Sequence, residues 1–141
     1  MSAVAQDDSP PPLFEDASDY DLNDAPDFGM PPGAIKQRRA VRVHVELLEK
    51  DDGRVAFNAF GDDKFTFKAE RIDRRGPKDF SWIGRWEKEP MLHAIIVVKG
   101  DDVVATVNLH KRQYQLRPIK GVGDVHLLME IDQAAFNAYP D

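Results

Sequence analysis

The sequence contains no cysteine. That excludes a disulfide framework, a thiolate zinc site and a cysteine nucleophile. No apolar run approaches the roughly 20 residues that a membrane-spanning helix needs. Lysine and arginine are missing from the first 35 residues, which hold eight acids: Asp7, Asp8, Glu15, Asp16, Asp19, Asp21, Asp24 and Asp27. The remainder carries 17 acids against 19 bases, so an acidic arm is joined to a slightly basic body. Such an arm repels phosphates and the body has no strong basic face, so nucleic acid is not an expected partner. The arm also holds six of the ten prolines. It has no sustained period of 2 or 3.6, so residues 1–35 are expected to be disordered or extended. Leu13, Phe14, Tyr20, Leu22, Phe28 and Met30 are spaced along it like docking anchors.

Motifs for chemistry are missing as well. The four histidines, His44, His93, His110 and His126, include no pair at the i, i+4 spacing of a helical zinc site. Each falls in or beside an expected strand, with His44 and His126 on the more polar faces. Ser81 has no G-x-S-x-G context. "GVGD" precedes a strand, so no helix N-terminus is there to hold a phosphate. Aromatic and basic residues interleave in "KFTFKAERIDRR" and "HKRQYQLR", but Phe65 and Phe67 share a face that must supply core. Paired acids such as Asp51-Asp52, Asp62-Asp63 and Asp101-Asp102 sit where turns are expected and read as turn chemistry. No catalytic residue, metal ligand or cofactor site is expected, which points to a binding or regulatory module.

What is present is alternation. The 141 residues suffice for one domain, and 42% are apolar. From Val41 onward apolar residues recur with period 2 in eight stretches, 8–12 residues apart. They are "VRVHVELL", "RVAFNAF", "KFTFKAERIDRR", "FSWIGRWEK", "MLHAIIVVK", "VVATVNLH", "RQYQLRPI" and "VHLLMEI". "KGDD" at residues 99–102 is a two-residue hairpin signal. Gly84, between Trp82 and Trp86, marks a bulge or a close approach. "MLHAIIVVK" is apolar on both faces and reads as a central strand covered on both sides. The expected fold is all-β: an antiparallel meander of about eight strands forming a sandwich or barrel-like roll, preceded by the disordered acidic arm. "DQAAF" is long enough for one helical turn.

The order of these stretches resembles the N-terminal propeptide of secreted bacterial zinc metalloproteases of the metzincin type, including the peptidyl-Asp metallopeptidases. A basic segment leads into a first strand in "KQRRAVRVHVELL". "FNAFGDDKFTFKAERID" follows, then the Trp-x-Gly-Arg type of strand in "FSWIGRWEKEP". "VVATVNLHKRQYQLRP" comes next, and "GDVHLLMEIDQAAF" closes the series. "PPLFEDA" is similar to the Leu-Phe start of such propeptides. The resemblance covers residues 36–136. It divides the chain into an arm (1–35), a β propeptide-like domain (36–136) and a tail or linker (137–141). The catalytic domain that follows in the family, with its HExxH helix, is not part of this sequence.

The resemblance implies a non-catalytic domain that binds a zinc metalloprotease, in cis or in trans, assists its folding and keeps it inactive. The domain is expected to be a monomer when free. In metzincins a prodomain side chain often fills the open zinc position. Without cysteine a thiolate is impossible; a carboxylate could serve, since aspartate is a normal zinc ligand. Asp19, Asp21, Asp24 and Asp27, with Phe28, are the candidates, because the arm can reach a cleft; deletion of residues 1–35 is the obvious test. Trp82, Trp86 and Tyr114 are candidate surface contacts. An alternative is a stand-alone periplasmic inhibitor or immunity protein on the same fold, favoured by the ending "AYPD". A third reading is a carbohydrate- or surface-binding module using Trp82 and Trp86. Ala3-Val4-Ala5 before Gln6 matches a signal-peptidase site, so a secreted or periplasmic location is expected.

Overall fold

Nine antiparallel strands form one sheet that curls into a nearly closed barrel in the computed structural model. The structure describes residues 10–31, 33–49, 53–61, 63–110 and 112–132. The signal-peptidase-like site, Asp51-Asp52, Asp62, most of "DQAAF" and the tail 137–141 lie outside the described residues. The strands are β1 (Phe14–Asp16), β2 (Ile35–Val43), β3 (Arg54–Asn58), β4 (Lys64–Gly76), β5 (Asp79–Trp86), β6 (His93–Lys99), β7 (Asp102–Leu109), β8 (Arg112–Pro118) and β9 (His126–Ile131). Their order around the sheet is β1-β2-β9-β8-β7-β6-β5-β4-β3. From β3 to β9 the chain is a simple meander. β2 then pairs with β9, Ile35 against Ile131, and joins the two ends of the body.

The eight stretches of alternation became β2 to β9. The all-β antiparallel expectation therefore holds, in its barrel form. The ninth strand comes from the arm. β1 pairs with β2, Phe14 opposite Val43, and Leu13 and Phe14 are fully buried. The expectation of a disordered segment over residues 1–35 is therefore corrected from Pro10 onward. Two large side chains anchor it, and apolar burial of this kind is worth roughly 1.5–3 kcal/mol each.

The barrel closes at a seam between β1 and β3. The Leu13 N–H donates to the Ala56 carbonyl (2.9 Å) and the Ala56 N–H to that of Pro11 (3.1 Å). Further along, side chains replace strand pairing. The Asn58 carboxamide accepts from the Phe14 N–H and donates to the Phe14 carbonyl, both at 2.9 Å. The Arg39 guanidinium reaches across to the carbonyls of Asn58 and Ala59 (2.8 and 2.5 Å) and also pairs with Asp16. A buried backbone group left unpaired would be costly, and here one amide and one guanidinium supply the partners.

The interior is filled. Trp82, Tyr114, Phe57, Phe67 and Phe80 are all fully buried. Phe57 packs edge-on against Phe14 and Phe67, with ring centroids 5.0 and 6.2 Å apart. A β-carbon on Gly84 would sit 2.4 Å from the Trp82 ring, so the close approach expected there is that of a side chain. The bulge lies across the ladder in β4, between Ala69 and Arg71. The hairpin at residues 99–102 forms as expected, with Gly100 at φ +65° in its first central position.

Two strand readings are corrected. β2 ends at Val43, and Val45–Glu49 forms a 3-10 turn across one end of the barrel, which drops Leu48 into the core. The strand covered on both sides is β9, not β6. All six residues of β9 are buried: Leu128 faces inward, while Leu127, Met129 and Ile131 pack outward beneath the arm. In β6 only Ala94, Ile96 and Val98 are buried.

Candidate protein-docking site

Four outward positions on β5, β6 and β7 are apolar where a solvated wall would carry polar groups. Ile83 stands opposite Ile95, and Val97 opposite Val104. Ile95 is 49% exposed and Val104 44%. These side chains are cross-strand neighbours, so they form one strip rather than scattered points. Polar groups border it: Thr106 on β7, and the cluster in which Arg85 pairs with Glu70 at 2.6 Å and His93 lies 3.6 Å from the same carboxylate. The hydrogen bond from Arg85 lowers the Glu70 pKa.

Beyond that cluster the β5–β6 connection presents Met91, 86% exposed. A groove of about 520 Å³ runs beside it, with Trp86, Ala69 and Pro90 as its apolar walls and Lys68 and Glu87 among its polar ones. Trp86 is half-buried and held edge-on by Phe65 at 5.7 Å. A rigid aromatic in a groove, an exposed methionine and an apolar strip with a charged rim are the ordinary ingredients of a protein interface.

Of the expected surface contacts, the structure leaves Trp86 accessible and corrects the other two. Trp82 and Tyr114 are both fully buried. Alternation sends Trp82 inward with Phe80 and Gly84, and Tyr114 plugs one end of the barrel among Phe57, Phe60 and Phe65. Burial raises the Tyr114 pKa, opposed by a 3.3 Å hydrogen bond donated by Arg112.

The arm candidates have local partners. Asp19 takes a bidentate pair from Arg42, at 2.9 and 3.0 Å, which lowers its pKa. Asp21 accepts from the Asn23 N–H and caps the 3-10 turn Leu22–Asp24. Asp27 accepts from the Gly29 N–H at 2.9 Å. Asp24 is exposed on the same turn. Phe28 sits at φ +54°, uncommon for a residue with a β-carbon, and is held by the outer cluster and by the Arg117 guanidinium 5.5 Å from its ring. The arm thus lies along the barrel wall.

Sequence reasoning missed Met91, Ile95 and Val104. The second apolar face of "MLHAIIVVK" was the signal for Met91 and Ile95, and it was read as burial; for Val104 the signal was the second valine of "VVATVNLH". His126, expected on a polar face, is fully buried. It forms part of the floor of a recess of about 330 Å³ at the end of the barrel spanned by Val45–Glu49. Among the described residues no group of three or more His, Asp or Glu is placed to hold a metal ion, and no helix is long and apolar enough to cross a membrane.

No protein-family model matches the sequence. No curated protein matches it. Among solved structures, one described as the structure of a chaperone-substrate complex contains a chain of similar fold. It is 16% identical, with a TM-score of 0.53, over 77% of this chain and 88% of that one. At that identity the likeness is one of fold.

Proposed function

We propose that this chain is a protein-binding β-barrel without chemistry of its own, and that its partner is the catalytic domain of a zinc metalloprotease which it helps to fold and holds inactive. The observation that carries the binding role is the outward apolar strip in which Ile95 and Val104 are exposed and Ile83 and Val97 half-buried, on a barrel whose interior is packed with large side chains. A filled interior leaves the outer wall for recognition. The partner's identity rests on the ordered motifs shared with metalloprotease propeptides, and an exported location goes with it. The test is to mix the purified chain with secreted zinc metalloproteases and measure co-elution and peptidase activity. Co-elution with loss of activity is expected. The double variant Ile95→Asp, Val104→Asp should abolish both and leave the circular dichroism spectrum unchanged. Undiminished binding by that variant removes the strip from the interface.

A second reading, a chaperone-like role toward an incompletely folded protein, is favoured by the same strip and fits the neighbour found in a chaperone-substrate complex. Binding to a denatured protein but to no folded protease would select it.

A further inference from the structure

Another stretch of the outer wall is apolar but covered. Leu127, Met129 and Ile131 face out from β9 and pack against Tyr20, Leu22, Phe28 and Met30 of the arm. The seat continues through Ile119 and Val125, which close the β8–β9 turn by a backbone hydrogen bond of 3.1 Å. One buried side chain ties the end of this turn to β7. The Nε2 of His126 accepts from the Val103 N–H at 2.9 Å. The only proton on the ring is then at Nδ1, which donates to the Asp124 carbonyl at 2.8 Å.

A ring protonated at both nitrogens cannot keep this arrangement. It would turn an N–H toward the Val103 N–H, two donors face to face. Movement there reaches the arm by two routes. Val125 and Leu127, on either side of His126, are part of the arm's seat. Asp124 pairs through its carboxylate with Arg42 at 2.9 Å, and Arg42 grips Asp19 of the arm. Charged groups surround the recess over the ring: Glu46 and Glu49 from the 3-10 turn, Lys78 from the β4–β5 turn, Asp101 and Asp102 from the β6–β7 hairpin, Asp124 from its own turn, and Arg42 of the adjacent β2, paired with Asp124. Burial opposes the charged ring, while the Asp124 carbonyl and the carboxylates of Asp102 and Asp124 favour it. Burial is the larger effect and holds the group below its ordinary value of 6.5. The recess over His126 gives solvent protons a path to it.

We propose that the arm is a removable cover and that His126 is its acid-sensitive latch, whose protonation frees the β8–β9 turn, lifts the arm from Leu127 and Met129 and releases its carboxylates. This holds whichever protein occupies the β5–β7 strip. Asp19 is no competing trigger, because Arg42 keeps it ionised to below its ordinary value of 3.8. The test is amide exchange by NMR between pH 8 and 5, corrected for intrinsic rates, at Ala17, Tyr20, Ala25 and Met30. Their N–H groups are hydrogen-bonded in the seated arm. Protection of these amides should fall at least about tenfold on acidification, with the midpoint of the His126 ring titration. His126→Gln, whose carbonyl can accept from Val103 and cannot titrate, should keep the arm protected throughout. Unchanged protection in the wild type, an arm midpoint separate from that of the ring, or equal loss in His126→Gln each overturns the proposal. The comparison of midpoints needs no variant, so it stands even if the substitution unfolds the chain.

Discussion

Gly84 shows how little space separates a permitted side chain from a forbidden one. Its neighbour on the same face, Trp82, folds over it so closely that a methyl group would meet the indole at 2.4 Å. Gly84→Ala therefore requires a buried ring to move, at a cost of about 1–3 kcal/mol. A lowered urea midpoint with an unchanged slope is the expected result. His126 sets a pH dependence at the same scale. Its folded-state pKa is depressed, so the unfolded chain binds the extra proton first. The stability it contributes is complete above its ordinary value of 6.5 and is lost as the pH falls through the folded value. Urea midpoints should drop below pH 6.5 in the wild type and stay level in His126→Gln. The exposed carboxylates with lowered pKa values, Asp19, Glu70 and Glu87, act only in more acidic solution.

Among the elements, β2 to β9 were legible because each carries its own period-2 record of an inside and an outside. β1 was not. Three residues among prolines show no alternation, and their strand character comes from pairing with β2, far along the chain. The identity of the doubly covered strand was equally hidden. "MLHAIIVVK" and "VHLLMEI" are both apolar on two faces, and only the path of the arm decides which is buried. That misreading concealed the exposed strip, while Trp86 was named only together with Trp82, which is fully buried. The seam yields a prediction for an element rather than a residue. Asn58→Ala deprives both backbone groups of Phe14 of their partners. Unsatisfied groups of this kind cost about 1–3 kcal/mol each. The barrel should lose stability by that order in urea, and exchange should accelerate first along β1 and β3.

For the whole molecule, the arm is structural as well as acidic. Deleting residues 1–35 to ask whether its aspartates block a protease would also remove Leu13 and Phe14 from the core and take away β1. Losing one buried phenylalanine side chain costs about 3–5 kcal/mol, against a total stability of about 5–15 kcal/mol for a domain. The truncated chain is expected to bind a hydrophobic dye and to unfold without a cooperative transition. Replacing Asp21, Asp24 and Asp27 by Asn keeps the fold and puts the question to the carboxylates alone. If metalloprotease inhibition survives that triple substitution and the further change Asp19→Asn, none of these four aspartates supplies a zinc ligand.

The pairing of Ile35 with Ile131 has a consequence for the order in which the chain takes shape. During synthesis from the N-terminus, β2 is among the first strands made and its partner β9 the last of the nine. Until residues 126–131 have left the ribosome, β2 has no neighbour on that side and the arm lacks its apolar seat on β9. The meander from β3 to β8 can assemble hairpin by hairpin, while closure waits for a contact spanning most of the sequence, the kind that slows folding. The nascent protein therefore passes through a stage in which its sheet is open and its acidic arm is loose.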